Sequence, residues 1–248
     1  MSSCIVVLYT TVLALAGTGW AQTAATEQAP QSDADHLYAS RGAGLEARHA
    51  AELWSAALLR NGQDFESAWK LARACYWLGS HLKGDQVRVQ YERGMSAAEA
   101  AIRIAPNKPE GHFWLAATMG GLAESQGMRA GLHYRTPIRE SLEKVLQIDP
   151  AYQQGSADRA LGRWYYKVPG LFGGSKKESE AHLRKSLTYN PQSSASWYFL
   201  AETLIALDRK SEARAALQKV IDVPFDPDWT PEDREWKEKA RLKLSELR

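Results

Sequence analysis

SWYFLAETLIALDRKSEARAALQKVIDVP, residues 196–224, carries two amphipathic patterns back to back and then a proline. Trp197, Leu200, Ala201 and Leu204 recur at three- and four-residue intervals, which places them on one face of a helix; Ala213, Leu217 and Val220 do the same for a second helix. Pro224 cannot continue that helix, and the residue before a proline avoids the helical region. Small side chains at Ala201 and Ala213 let the two backbones approach, while the larger residues interdigitate around them. The stretch predicts a helical hairpin with a tight internal contact.

The same punctuation occurs four times. Leu followed by a small residue stands at Leu71-Ala72, Leu115-Ala116, Leu161-Gly162 and Leu200-Ala201, and the second helical pattern after each stops at Pro106, Pro150, Pro191 and Pro224. Helix pairs repeated in this way, with an aromatic and a Leu-small step before a closing proline, follow the tetratricopeptide pattern, in which that Leu lies about 25 residues before the Pro. Here the separation is 24 in the last repeat, 30 in the third and 35 in each of the first two. The added residues fall between the helices, in GSHLKGDQVRVQYERG, ESQGMRAGLHYRT and KVPGLFGGSKK. The last of these invites comparison with a phosphate loop, which needs Gly, four residues, then Gly-Lys and Ser or Thr, entered from a strand. GLFGGSKK is entered from a helix and reads as a turn. Pro169 ends one helix, the glycines permit the reversal, and Ser175 with Glu178 starts the next as a capping box.

Residues from about Gly44 to Leu59 add one amphipathic helix before the repeats. Thr230-Pro231-Glu232-Asp233 then starts a final helix, with Pro at the first position and acids in the first turn. Its apolar face, Trp236, Ala240, Leu244 and Leu247, suits a cap that closes a repeat array. The expected fold is all-α: a tetratricopeptide-like helical-repeat solenoid of about ten helices, with enlarged inter-helix turns and a C-terminal capping helix. The repeat domain is placed at residues 43–248, after a disordered polar leader at 22–42. Residues 1–21 read as a signal peptide. The apolar run Ile5–Gly19 is shorter than the roughly 20 residues that span a bilayer, and Gly19 and Ala21 offer the small residues of a cleavage site after Ala21. That implies a periplasmic or secreted protein. An uncleaved anchor stays open, because the segment MSSC lacks Lys or Arg.

The net charge of +2 gives no electrostatic case for nucleic acid. Of two cysteines, Cys75 lies in the apolar helical stretch ARACYWL and reads as a buried core thiol. The six histidines form no HExxH and no close ligand spacing with Asp or Glu. No GxSxG elbow is present. Neither a cofactor nor a catalytic or metal site is expected, and the chain reads as a non-enzyme.

A binding face is easier to place. Residues at i, i+4 and i+7 along the first helix of each repeat share one side, which lines the concave groove of a tetratricopeptide array. They are Trp69, Arg73 and Tyr76; Phe113, Ala117 and Gly120; Arg159, Arg163 and Tyr166; and Tyr198, Glu202 and Ile205, with Trp77 and Lys167 beside them. Arginine offers a planar fork for a carboxylate, and aromatic walls suit an apolar body. The candidate ligand-binding set is therefore Trp69, Arg73, Tyr76, Trp77, Phe113, Arg159, Arg163, Tyr166, Lys167, Tyr198 and Glu202. Its expected ligand is an acidic peptide tail or a small organic acid. The bland alternative is that the aromatics fill the groove wall and the arginines pair with acids.

The combination of LARACYWL, YERGMSAAEAAI, GHFWLA and LGRWYYKVPGLFGG with the last repeat and its cap resembles the T component (TatT family) of periplasmic TRAP transporters, from about Ala51 to Leu247. Eukaryotic regulators of microtubule dynamics share a similar repeat layout, and the export signal is read against that context. The TRAP resemblance implies an exported, non-catalytic scaffold that accompanies a periplasmic solute-binding protein and holds a small organic acid. The alternative is a general envelope scaffold for protein–protein assembly, without a transport role. Family members are often lipoproteins; the lipid-attachment motif is missing here, so membrane association is left open, as is homo-oligomerisation.

If the helix pairing is right, Ala201→Trp or Ala213→Trp forces bulk into a close contact and costs about 1–3 kcal/mol. Thermal unfolding checks this; an unchanged midpoint in both variants would show the pairing to be misplaced.

Overall fold

The computed structural model describes residues 29–43 and 45–247. Within them the chain forms eleven α-helices and no strand. They are α1 (Ala29–Ala39), α2 (Leu45–Arg60), α3 (Phe65–His81), α4 (Asp85–Ile104), α5 (Pro109–Gln126), α6 (Met128–Ile148), α7 (Ser156–Lys167), α8 (Lys176–Tyr189), α9 (Ser194–Ala206), α10 (Lys210–Asp222) and α11 (Thr230–Glu246). The four repeats are the hairpins α3–α4, α5–α6, α7–α8 and α9–α10, and α11 is the cap. First helices also touch within the two halves of the array, α3 on α5 and α7 on α9, the cap α11 lies on α9, and α6 on α7 links the second repeat to the third.

Local chemistry sets the helix starts. Asp64, Ser175 and Ser193 each accept a hydrogen bond from the backbone N–H three residues on, satisfying an end that would otherwise lack a partner. Pro109 and Pro231 stand in the first turns of α5 and α11, where no N–H is needed. The residues added to the first two repeats lie between the marker positions as expected, but they lengthen the helices instead of looping out. α3 to α6 run 17, 20, 18 and 21 residues, against 13 each for α9 and α10. Only the third repeat keeps an extended turn. α6 even carries Pro137 in its interior. Nearby, the Arg135 carbonyl accepts a hydrogen bond from Trp164 Nε1 at 2.8 Å, which ties α6 to α7.

Helices meet where side chains are smallest. Ala201 and Ala213 are fully buried in a cluster with Leu200, Leu204, Leu217 and Val220. At Gly162 an added Cβ would stand 2.5 Å from Leu183 Cγ and 3.2 Å from the Ser179 carbonyl oxygen, so α7 and α8 approach closely there. Tyr91, 4% exposed, pushes its ring into space that an added Cβ on Gly121 would occupy, and so joins α4 to α5.

The N-terminal part of the array departs from expectation. Residues 29–39, assigned to a disordered leader, form α1, and Ala34 and Tyr38 enter the main core. Beyond α1, Arg41 is 3% exposed and reaches across to the far end of the chain. Its Nε donates to Glu232 Oε1 at 3.0 Å, and its terminal nitrogens donate to Glu232 Oε2 and the Asp228 carbonyl, both at 2.6 Å, and to the Tyr38 carbonyl at 3.2 Å. The guanidinium lies over the rings of Tyr38, Trp77 and Trp229. A second bridge follows: His81, stacked on Trp77, donates from Nε2 to Glu235 at 2.7 Å and from Nδ1 to the Trp77 carbonyl at 2.8 Å. The array is thus closed end to end.

Removing one partner of a buried ion pair costs on the order of 3 kcal/mol or more, and Glu232 keeps one-fifth of its side chain exposed, which places Arg41→Met near the lower figure. Chemical denaturation should show that loss, and limited proteolysis should cut α1 first; full resistance would mean that Arg41 does not hold the ends.

The second bridge is pH-dependent. Burial alone would lower the His81 pKa, but the hydrogen bonds to Glu235 and to the Trp77 carbonyl outweigh it and raise it. The His81 bond lowers the Glu235 pKa, against the opposing effect of burial. With His81 raised, its contribution is complete below the ordinary histidine value of about 6.5 and is lost as pH climbs through the folded value; with Glu235 lowered, its contribution is lost as pH falls through its folded value. Stability of the wild type relative to His81→Gln is expected to be greatest in mildly acidic solution and to shrink above neutrality. Melting curves across pH test this; a constant difference would remove the bridge from consideration.

Candidate functional site

Closure leaves a cavity of about 440 Å³ between the two ends of the array. Its wall is assembled from distant pieces: Asp35 and Tyr38 from α1, Arg73 from α3, Gln153 and Gln154 from the turn before α7, Arg159 from α7, Ser194 at the start of α9, and the stretch from Asp226 to Trp236. Turn geometry brings the amides in. Gln153 and Gln154 adopt positive φ values of 42° and 58°, and Asn190 Nδ2 donates to Gln154 Oε1.

Of the three arginines here, Arg73 and Arg159 come from the sequence-derived set, and Arg41 does not. Arg73 is stacked 4.1 Å from the Tyr38 ring and 4.9 Å from that of Trp69, with Asp35 at 3.9 Å. Its Nε is buried without a hydrogen-bond partner. Arg159 forms no hydrogen bond or ion pair among the described residues. Burial lowers its pKa, while Tyr76 and Asp233 act in the opposite direction. By contrast three of the cavity's five carboxylates are engaged by other groups: Glu232 by Arg41, Asp35 by Lys70 at 2.9 Å, and Asp233 by Ser194 Oγ and the Asp226 N–H.

The remaining members of the set divide. Arg163 lies outside this cavity and is paired with Glu202 at 2.6 Å and Glu124 at 3.5 Å, under the Phe199 ring. Lys167 is exposed beside Glu124, and Tyr166 is half-buried against Arg163 and Lys176. Trp69 is half-buried and donates to Glu66. Tyr76 keeps an exposed edge, 36%, above Tyr91 and Trp114. Trp77, Phe113 and Tyr198, at 5, 7 and 8% exposure, are packing residues and offer no surface to a ligand. The three arginines of the set therefore do not form one site: Arg163 is paired with acids, Arg73 is stacked on rings, and Arg159 is unpaired.

Sequence reasoning missed Asp35, Tyr38, Arg41 and the Asp226–Asp233 turn, all drawn in by contacts that span the chain. It also missed His81–Glu235 and the pair in which His182 Nδ1 lies 2.8 Å from the fully buried Asp158. Lys185 also reaches the Asp158 carboxylate, at 3.2 Å. His112 bonds the Pro106 carbonyl. The Cys75 thiol is buried and its pKa is pushed up to about 12 by desolvation, so it is a core group, not a nucleophile. In the GLFGG turn the N–H groups of Gly173, Gly174 and Ser175 are bonded to the carbonyls of Gly170, Pro169 and Tyr165, leaving none of them to cradle a phosphate. Among the described residues no group of three or more His, Cys, Asp or Glu could hold a metal, and no helix is long and apolar enough to cross a membrane.

Comparison with known proteins bears on this geometry. A thermophilic TPR protein of Thermus thermophilus superposes with a TM-score of 0.65 at 21% identity, over 90% of this chain and 98% of that one. MamA superposes with a TM-score of 0.50 at 12% identity, over 81% and 95%. At such identities the likeness establishes the helical-repeat fold alone. Regulator of microtubule dynamics protein 3 from Rattus norvegicus is 29% identical over 57% of this chain and 30% of its own length; the Mus musculus protein is 27% identical over 69% and 36%. The chain spans about a third of the length of these curated relatives.

These relatives overturn the TRAP reading. They are animal proteins named for microtubules, and animal cells have no periplasm; the T-component resemblance, the solute-binding partner and the periplasmic or secreted location are withdrawn together. The signal-peptide reading that tipped the balance rested on residues 1–21, which lie outside the described residues. The repeat layout itself is common to both groups and could not separate them. The profile of the regulator of microtubule dynamics protein 1-3 family matches residues 31–248, and the chain belongs to that family.

Proposed function

We propose that this domain is a non-catalytic scaffold that docks a partner protein on the concave side of the array, in the service of the microtubule regulation for which its relatives are named. What supports the reading is chemical: the first helices of the repeats carry an unpaired guanidinium, Arg159, and partly exposed rings at Tyr76, Trp69 and Tyr166. Curved repeat arrays bind through such extended surfaces, and aromatic and arginine side chains dominate interface energetics. The assembly-scaffold alternative thus replaces the transport role.

The test is rescue. In cells lacking the endogenous protein, wild type is expected to restore microtubule growth rates measured by plus-end imaging. Tyr76→Ala combined with Lys167→Ala, both at accessible positions, should fold normally and rescue poorly, since interface hot spots contribute about 2 kcal/mol or more. Full rescue by the double variant would move docking off this face. Failure of wild type to alter growth would remove the microtubule role.

A further inference from the structure

The turn between α7 and α8, which supplies no phosphate loop, holds two apolar side chains out from the fold. Leu171 is 90% exposed and Phe172 39%. Their backbone is fixed: the Pro169 and Gly170 carbonyls close the turn, and Gly173, at φ 101°, rests against the Trp164 ring. The start of α6 lies alongside. Arg135 is 5.8 Å from the Phe172 ring and Arg139 is 5.6 Å from that of Trp164, whose Nε1 donates to the Arg135 carbonyl. Met128, 75% exposed, shares a helical stripe with Arg135, two turns or about 10 Å nearer the N-terminus.

A lone exposed leucine is ordinary. This one is set in a charge pattern that the chain as a whole, at +2, does not share. Residues 125–139 contain three arginines, residues 159–177 contain two arginines and three lysines, and neither segment contains an acid. Arg139, Arg163 and Lys167 meet acids from elsewhere, Glu143, Glu202 and Glu124. Arg129, Arg135, Lys176 and Lys177 form no ion pair among the described residues, and Arg129 and Lys177 are exposed. Burial, and after it the charges of Arg163 and Lys167, lower the Lys176 pKa, as a local excess of positive charge requires.

We propose that this edge is a peripheral membrane contact: Leu171, Phe172 and Met128 enter the headgroup boundary of an anionic bilayer, and the unpaired cations meet its charge. Convexity selects the occupant. A protruding turn offers no groove in which a peptide could lie, whereas a bilayer yields to a tip and receives apolar side chains to a depth of about 5–10 Å. Each Lys or Arg held within a Debye length of the surface adds about fivefold in affinity. The contact is independent of the docking reading above, since it uses none of Tyr76, Trp69, Tyr166 or Lys167.

The experiment uses the whole chain and two kinds of vesicle, one of phosphatidylcholine and one in which about a third of the lipid is phosphatidylserine. Residues 1–26 carry no charged side chain, so a difference between the two reports on the folded part. Hydrogen exchange read by mass spectrometry should show protection at 126–136 and 168–177 on the anionic vesicles alone. Leu171→Asn should weaken co-sedimentation with them by about tenfold, and Arg129→Gln combined with Lys177→Gln by about twentyfold. All three changes are at exposed positions and should leave the melting temperature unchanged. Protection elsewhere, no preference for anionic vesicles, or full binding by either variant would overturn the proposal. Soluble polyglutamate supplies the remaining arm. If it protects the same segments equally in wild type and Leu171→Asn, and vesicles do not, the edge belongs to an acidic polypeptide and the membrane contact falls.

Discussion

Backbone-to-backbone approach at small residues is the constraint from which the rest of this structure follows. Where Ala201 and Ala213 are buried in one cluster, or Gly162 meets Leu183, two helices come close enough to pack as a unit, and the larger side chains can then enclose them. Repetition of that unit stacks the first helices on one another along one side. Stacking alone leaves two open ends, and here the ends return to each other. Arg41, sandwiched by three rings and bonded to Glu232 and Asp228, is the seam.

The seam explains why the candidate site is polar. Segments that meet across the array bring turns and helix starts with them, and these carry acids and amides, not apolar stripes. The acids are consumed by structure: Asp233 holds Ser194 and the Asp226 N–H, and Glu232 holds Arg41. Arg159 stands apart, because none of these hydrogen bonds and ion pairs includes its guanidinium.

Much of the fold was legible in the sequence. The four Leu-small steps, the closing prolines, the cap at Ser175 and the Pro231 helix start are local features, and each acts within a few residues of itself; Thr230, read as a cap, is the first residue of α11 and donates to the Asp226 carbonyl. The helix α1 was not legible because its sequence, APQSDADHLYA, has no apolar stripe; it is held by Ala34 and Tyr38 entering a core made elsewhere. Helical phase placed Arg73 and Arg159 on one side, and both line the cavity. Phase does not report depth, which is why Trp77, Phe113 and Tyr198 looked like groove walls and are packing residues. Nor could it pair Arg163 with Glu124, a residue from another repeat. The family was misread for a different reason, because two groups share the layout and an apolar N-terminus argued for the wrong one.

Joining the ends also changes what kind of object this is. An open array can gain or lose a unit by duplication or deletion, and each unit needs only its neighbours. Here the copy number is part of the geometry. An inserted helix pair would carry Glu232 away from Arg41, and a deleted one would drive the two past each other. Four repeats are therefore a closed count, and extra residues are accommodated in longer helices and a reshaped turn, as in α3 to α6 and the Val168–Ser175 junction.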